Sequence, residues 1–142
     1  MKEIIEQSIE VKATAGEVWH ALTDKDELEN WWSEDVTLEG RVGGKFQEHW
    51  EDDEGKAQLA SGKVIEVKDK KFISFTWREK DWPQAAQTLC SFAIETLGAK
   101  CKLTMKHEGW EALPESLRKS LLKEFKIGWT YHLKELKAYL DE

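Results

Sequence analysis

Apolar and polar positions alternate over residues 3 to 12, where Ile5, Ile9 and Val11 fall against Glu6, Glu10 and Lys12. That period of two predicts a first strand, imperfect in phase only at Ser8. Thr14-Ala15-Gly16-Glu17 then has the form of a capping box, in which the threonine accepts from an early helical N–H and the glutamate reaches back. A short helix should follow with Val18, Ala21 and Leu22 on its inner side. Asp24-Lys25-Asp26-Glu27 repeats the start signal and opens a second short helix through Leu28, Trp31 and Trp32. Its acidic first turn suits the helix dipole.

Val36-Thr37-Leu38 reads as a short strand, and Gly40, Gly43 and Gly44 mark a turn region. Phe46, Glu48 and Trp50 share one face of the next strand, and Glu51 to Gly55 form a polar hairpin tip. Strands are expected at about 56 to 68 and 71 to 78, the second with Ile73, Phe75 and Trp77 on one face. Asp81-Trp82-Pro83 closes that segment. Residues 88 to 95 and 100 to 108 form a further pair around Leu97-Gly98-Ala99. A turn centred near Leu97-Gly98 sets Ile94 opposite Cys101, Phe92 opposite Leu103 and Cys90 opposite Met105, so the apolar faces coincide.

Pro114 stands where helices often start. Beyond it Leu117, Leu121, Phe125, Gly128, Trp129, His132, Leu133, Leu136 and Leu140 fall at steps of three and four, the stripe of a long amphipathic helix. Strand, two short helices, a run of antiparallel strands and a long terminal helix make an α+β two-layer domain. No repeat, linker or low-complexity segment divides the chain, so residues 1–142 are expected to form one domain.

Composition narrows the function. A net charge of −7 repels phosphate backbones, which argues against nucleic acid as a partner. No apolar run approaches the ~18 residues of a membrane span, and charge interrupts Met1-Lys2-Glu3-Ile4-Ile5-Glu6-Gln7 before a signal-peptide core could form. A cytoplasmic location with no membrane partner is therefore expected. Two cysteines, Cys90 and Cys101, are too few for a disulfide framework, and they read as buried, reduced thiols. No His-rich or Cys-rich spacing points to a metal, and no motif points to a cofactor. His20, His49 and His132 read as surface or helix-edge residues. The unusual number is tryptophan, with eight in 142 residues. Each buried aromatic removes roughly 150–250 Å² from water. Either the core is rich in rings, or several rings line something.

Four stretches also resemble a known family. They are Val18 to Thr23 with Trp31-Trp32 downstream; Gly43-Gly44-Lys45-Phe46; Phe72-Ile73-Ser74-Phe75-Thr76-Trp77; and Leu103 to Gly109 followed by Gly128-Trp129 and Leu133 to Leu136. In this order they are similar to the START-like (SRPBCC) superfamily, and more closely to its branch related to the activator of Hsp90 ATPase, the Aha1 C-terminal-domain-like (AHSA1-like) proteins. The family's usual proline before the strand ending in Thr-Trp is missing from Lys68 to Lys71. The resemblance implies a helix-grip fold (START/Bet v 1-like), a curved antiparallel sheet around a long C-terminal helix with a cavity between them. Members bind small hydrophobic molecules, act on polyketides or assist chaperones.

On that fold Phe46, Glu48, Trp50, Phe75, Trp77, Phe92, Met105 and His107 should point from the sheet toward Phe125, Trp129 and Leu133 of the helix, with Trp32 closing one mouth. Two readings follow. These residues line a ligand cavity with Glu48 and His107 as its polar groups, or they fill a core with those two at its wet edges. Three function classes fit: a module binding a small apolar or aromatic molecule, a small cyclase- or hydrolase-like enzyme using the same pocket, and a chaperone-assisting protein working through its surface. Few inward polar residues favour the first and lean away from catalysis. A homodimer and a chaperone partner stay open.

Overall fold

The computed structural model describes residues 3–83 and 85–141. Met1-Lys2, the start of the segment read against a signal peptide, lies outside the described residues. Among the described residues there are seven strands, β1 (Ile5–Val11), β2 (Val36–Leu38), β3 (Lys45–Glu51), β4 (Ala57–Lys68), β5 (Phe72–Glu79), β6 (Thr88–Leu97) and β7 (Lys100–Glu108). Three α-helices, α1 (Ala15–Thr23), α2 (Lys25–Trp31) and α3 (Glu115–Leu140), and one short 3-10 turn, Trp110–Ala112, accompany them among the described residues. The strands form one antiparallel sheet in the order β1-β7-β6-β5-β4-β3-β2, so the first and last strands are neighbours. The sheet curls around α3, giving the α+β helix-grip architecture.

Local chemistry sets the helix starts. The Thr14 hydroxyl accepts from Glu17 N at 3.1 Å and the Glu17 carboxylate accepts from Thr14 N at 2.9 Å, the reciprocal bonds of a capping box. Asp24 Oδ1 caps α2 by accepting from Asp26 N and Glu27 N. The Trp31 indole N–H donates to Ala21 O at 2.8 Å and locks the two short helices together.

The β6–β7 register differs from expectation. Ile94 faces Leu103, Phe92 faces Met105 and Cys90 faces His107. The strands run on to the pair Leu97 and Lys100, which leaves only Gly98-Ala99 in the loop. Gly98 at φ 62° opens that loop, as a two-residue hairpin turn of primed type asks. A slip of two residues keeps every side chain on its own face, so the apolar pattern was satisfied by either register.

The inner stripe of α3 also differs in detail. Leu122, Trp129, Leu133 and Leu136 are buried, while Leu117 is 40% exposed and Leu121 and Phe125 are half-buried. The far end of α3 is fastened to β1 and α2. Lys12 N donates to Asp141 Oδ1 at 2.8 Å, Lys137 Nζ donates to Glu10 O, and the Tyr139 hydroxyl donates to Glu27 Oε1 at 2.6 Å. These bonds occupy part of the β1 edge, which would otherwise offer free backbone groups.

The β4–β5 ladder is interrupted between Val64 and Glu66, where the register shifts. A side chain on Gly62 would put its Cβ 1.7 Å from Thr76 O, and the Thr76 hydroxyl accepts from Lys63 N at 3.0 Å. Glycine is therefore required by the close approach of two backbones. The ends of β3 and β5 share a pocket with the middle of α3.

Candidate functional site

Rings fill the centre of the grip. Phe46 lies 4.8 Å from Phe75 and 4.6 Å from Trp77, centre to centre. Trp32 stacks on Trp77 at 6.2 Å and meets Trp129 edge-on at 5.3 Å. Trp77 and Trp129 themselves touch edge to face at 6.0 Å, so nothing can lodge between them. Each such pair adds about 0.5–1.5 kcal/mol beyond the area it buries. Phe46, Phe75, Phe92 and Met105 have no exposure and Leu133 has 2%, so these five form the core rather than a cavity wall.

His107 belongs with them. It is fully buried, and both ring nitrogens are used. The Trp129 indole can only donate, so Nδ1 accepts from it at 3.1 Å. Nε2 must then carry the proton and donate to the Thr88 hydroxyl at 2.7 Å, which leaves the Thr88 proton for Trp77 O at 3.3 Å. Burial pushes the imidazole down to about 3, so it stays neutral. Trp110 and Phe125 pack on the ring at 4.5 and 5.1 Å. His107 holds the core together and does not reach the pocket described next.

Outward of Trp77 and Trp129, at the open end of the grip, lies a pocket of about 420 Å³. Four elements build it. The end of α2 supplies Trp32 and Ser33, β3 supplies Glu48 and Trp50, β5 supplies Trp77 and Glu79, and α3 supplies Glu124, Phe125, Gly128, Trp129 and His132. Gly128 opens the helix side, since a Cβ there would meet no atom within 4 Å. Indole and phenyl surfaces make the walls, and three carboxylates lie among them.

Two of the carboxylates, Glu48 and Glu79, are perturbed. Burial pushes Glu48 up to about 7, and the nearby Glu79 charge adds to this against the pull of hydrogen bonds from Trp32 and Ser33. Burial likewise pushes Glu79 up to about 7, with Glu124 and Asp81 adding repulsion while the Trp77 indole, 3.2 Å away, donates to it. His132 is lowered by burial, and its Nδ1 is buried with no hydrogen-bond partner among the described residues. Near neutrality this pocket can hold or release a proton at either glutamate.

Of the residues expected to surround a ligand, the structure brings Trp32, Glu48, Trp50, Trp77, Phe125 and Trp129 together around the pocket. Phe46, Phe75, Phe92, Met105, His107 and Leu133 lie behind it. Ser33, Glu79 and Glu124 line it as well, as do Gly128 and His132 of the α3 stripe, none of which the sequence assigns to a pocket. Glu79 was legible: β5 runs one residue further than expected, and the period of two that aligns Ile73, Phe75 and Trp77 continues to it. His132, expected at the surface or a helix edge, lines the pocket one turn from Gly128. His20 and His49 are exposed and sit beside acidic residues, Asp24 and Asp35 respectively.

Cys90 and Cys101 are free and buried, and burial drives the Cys90 thiol well up, away from the reactive thiolate. Among the described residues no three His, Cys, Asp or Glu side chains gather as a metal centre requires. Nor is any helix there long and apolar enough to cross a membrane.

Comparison with known proteins agrees with this architecture. The model of the family described as activator of Hsp90 ATPase homolog 1-like protein matches residues 12–141. No curated protein matches the chain. Protein MLL2253 from Mesorhizobium loti superposes with a TM-score of 0.79 at 19% identity, over 98% of this chain and 97% of that one. The Aha1 dimer from Colwellia psychrerythraea gives 0.77 at 23% identity, over 98% and 96%. DynU16, from the dynemicin biosynthetic locus, gives 0.74 at 18% identity, and the match takes 96% of this chain but 46% of DynU16.

Proposed function

The chain belongs to the activator of Hsp90 ATPase homolog 1-like family, and on that premise we propose that it binds a small hydrophobic or aromatic molecule in the pocket between the curled sheet and α3. The observation that carries this reading is the ring-walled space of about 420 Å³. Its size falls in the ~300–1,000 Å³ range of small-molecule sites, and such sites pair apolar walls with a few placed polar groups. Trp32, Trp50, Trp77, Phe125 and Trp129 supply the apolar contact, and Glu48 the polar one. The core behind them keeps these rings in place. The work is done by residues 1–142 as one domain, in the cytoplasm.

A neutral, fluorescent aromatic such as N-phenyl-1-naphthylamine tests the reading. It should bind saturably with one site per chain and take energy from the tryptophans. Gly128→Leu, which fills the open helix side without touching the core, should abolish that signal while leaving the circular dichroism unchanged. Absence of saturable binding, or binding that survives Gly128→Leu, would sink the proposal.

One observation favours a second reading, a small enzyme on the same pocket. Glu48 and Glu79 both titrate near 7, where general acid–base groups work best. Turnover in a broad ester and polyketide screen, lost in both Glu48→Gln and Glu79→Gln, would establish it; binding without turnover supports the binding module. The dimer from Colwellia psychrerythraea supports a homodimer as well, which light scattering at micromolar concentration would detect.

A further inference from the structure

We infer that the occupant of this pocket is an organic cation, an ammonium group carried on a hydrophobic or aromatic body. The inference rests on the ligand-binding reading above and adds the sign of the charge.

The walls contain three carboxylates, Glu48, Glu79 and Glu124, and neither lysine nor arginine. Among the described residues none of the three forms a salt bridge. Two of them, Glu48 and Glu79, are half-buried and repel one another. A structural pair of this kind would ordinarily be given a cation, because buried charge is costly unless it is paired. Here the described residues supply none, and the space beside the carboxylates is left open.

The remaining surface selects in the same direction. Trp32, Trp50, Trp77 and Trp129 all line the pocket, and the face of an indole attracts a cation through its quadrupole more strongly than any other side-chain ring does. An anionic occupant would meet like charges at Glu124 and, above about pH 7, at Glu48 and Glu79 as well. A neutral apolar occupant would fill the space but bury the carboxylates further with no counter-charge. An alkylammonium satisfies both features at once, with its methyl or methylene groups against the indoles and its charge between Glu48 and Glu79. The chain's net charge of −7 raises the local concentration of such a ligand as well.

Three probes of similar shape separate the alternatives on the full chain: benzyltrimethylammonium, its uncharged carbon isostere neopentylbenzene, and phenylacetate. Binding is followed at pH 8 by tryptophan fluorescence, with calorimetry as a check. The cation should bind about tenfold or more tighter than the neutral isostere, as expected of a desolvated cation–π contact beside a carboxylate, and phenylacetate should bind weakest. Glu48→Gln combined with Glu79→Gln should remove the cation's advantage while leaving neopentylbenzene within about twofold, since the amide keeps the shape and drops only the charge. If neopentylbenzene binds and the cation binds no tighter, the pocket stands and the charge assignment falls. Preference for the cation that persists in the double variant also overturns the role given to the glutamates. If no probe binds, the pocket reading itself falls, and this inference with it.

Discussion

Replacing Glu48 by glutamine should stabilise the protein at alkaline pH and leave it nearly unchanged in acid. The reason is the sign of the shift. An unfolded glutamate titrates at 4.5, whereas the folded pocket raises Glu48 to about 7. Between those values the folded state holds a proton that the unfolded chain has lost. The stability this group contributes is fully present below 4.5 and is lost as pH rises through about 7. A shift of that size corresponds to about 3 kcal/mol if the full charge is carried in the pocket. Glu48 keeps some contact with water, and screening brings the expectation to about 1–2 kcal/mol. For a chain of this length that is a rise in melting temperature of about 3–7 °C at pH 8.5, with almost none at pH 4.5.

His107 works in the other direction, because its folded value lies near 3 against 6.5 unfolded. Its contribution is present above 6.5 and lost as pH falls. It is common to both proteins, so it cancels in the difference between wild type and variant. The assay is thermal or urea unfolding of the pair across pH 4.5 to 9. A difference independent of pH would refute the reasoning, as would destabilisation that grows with pH. Since Glu79 raises Glu48, Glu48→Gln and Glu79→Gln together should gain less than the sum of the two.

Three other outcomes follow from the geometry. Gly62→Ala should cost about 3 kcal/mol or more, because its Cβ meets Thr76 O at 1.7 Å and backbone must move; a fall in the urea midpoint with unchanged slope would show it. Trp129→Phe leaves His107 Nδ1 without its donor and should cost about 1–3 kcal/mol in unfolding free energy beyond the lost packing, whereas Trp50→Phe, half-buried at the pocket wall, should cost well under half as much. Gly128→Ala should raise stability by about 0.5–1 kcal/mol, since α3 gains helix propensity and the added methyl meets only open space; a loss measured by thermal unfolding would mean that α3 packs differently there.

Much of the fold is written in local pattern. The caps at Thr14 and Asp24 are formed by residues within three positions of each other, so near neighbours alone determine where α1 and α2 begin. The alternation of Ile73, Phe75 and Trp77 and the three- and four-step spacing of Trp129, Leu133 and Leu136 likewise depend on backbone periods, which a sequence carries whole. What these periods leave undetermined is distance. Either of two registers put the apolar faces of β6 and β7 together, and the two-residue loop at Gly98-Ala99 decided between them. Periodicity shows that a side chain points inward, but not whether another ring already occupies the space ahead of it. Phe46, Phe75, Phe92 and His107 share inward faces with Trp77 and Glu48, yet the first four are enclosed by rings from other strands and from α3. Where β3 and β5 run past that cluster, space remains beside Glu48 and Glu79. Where the core ends and the pocket begins depends on the summed volume of side chains from four elements, and that sum exists only once the chain has folded.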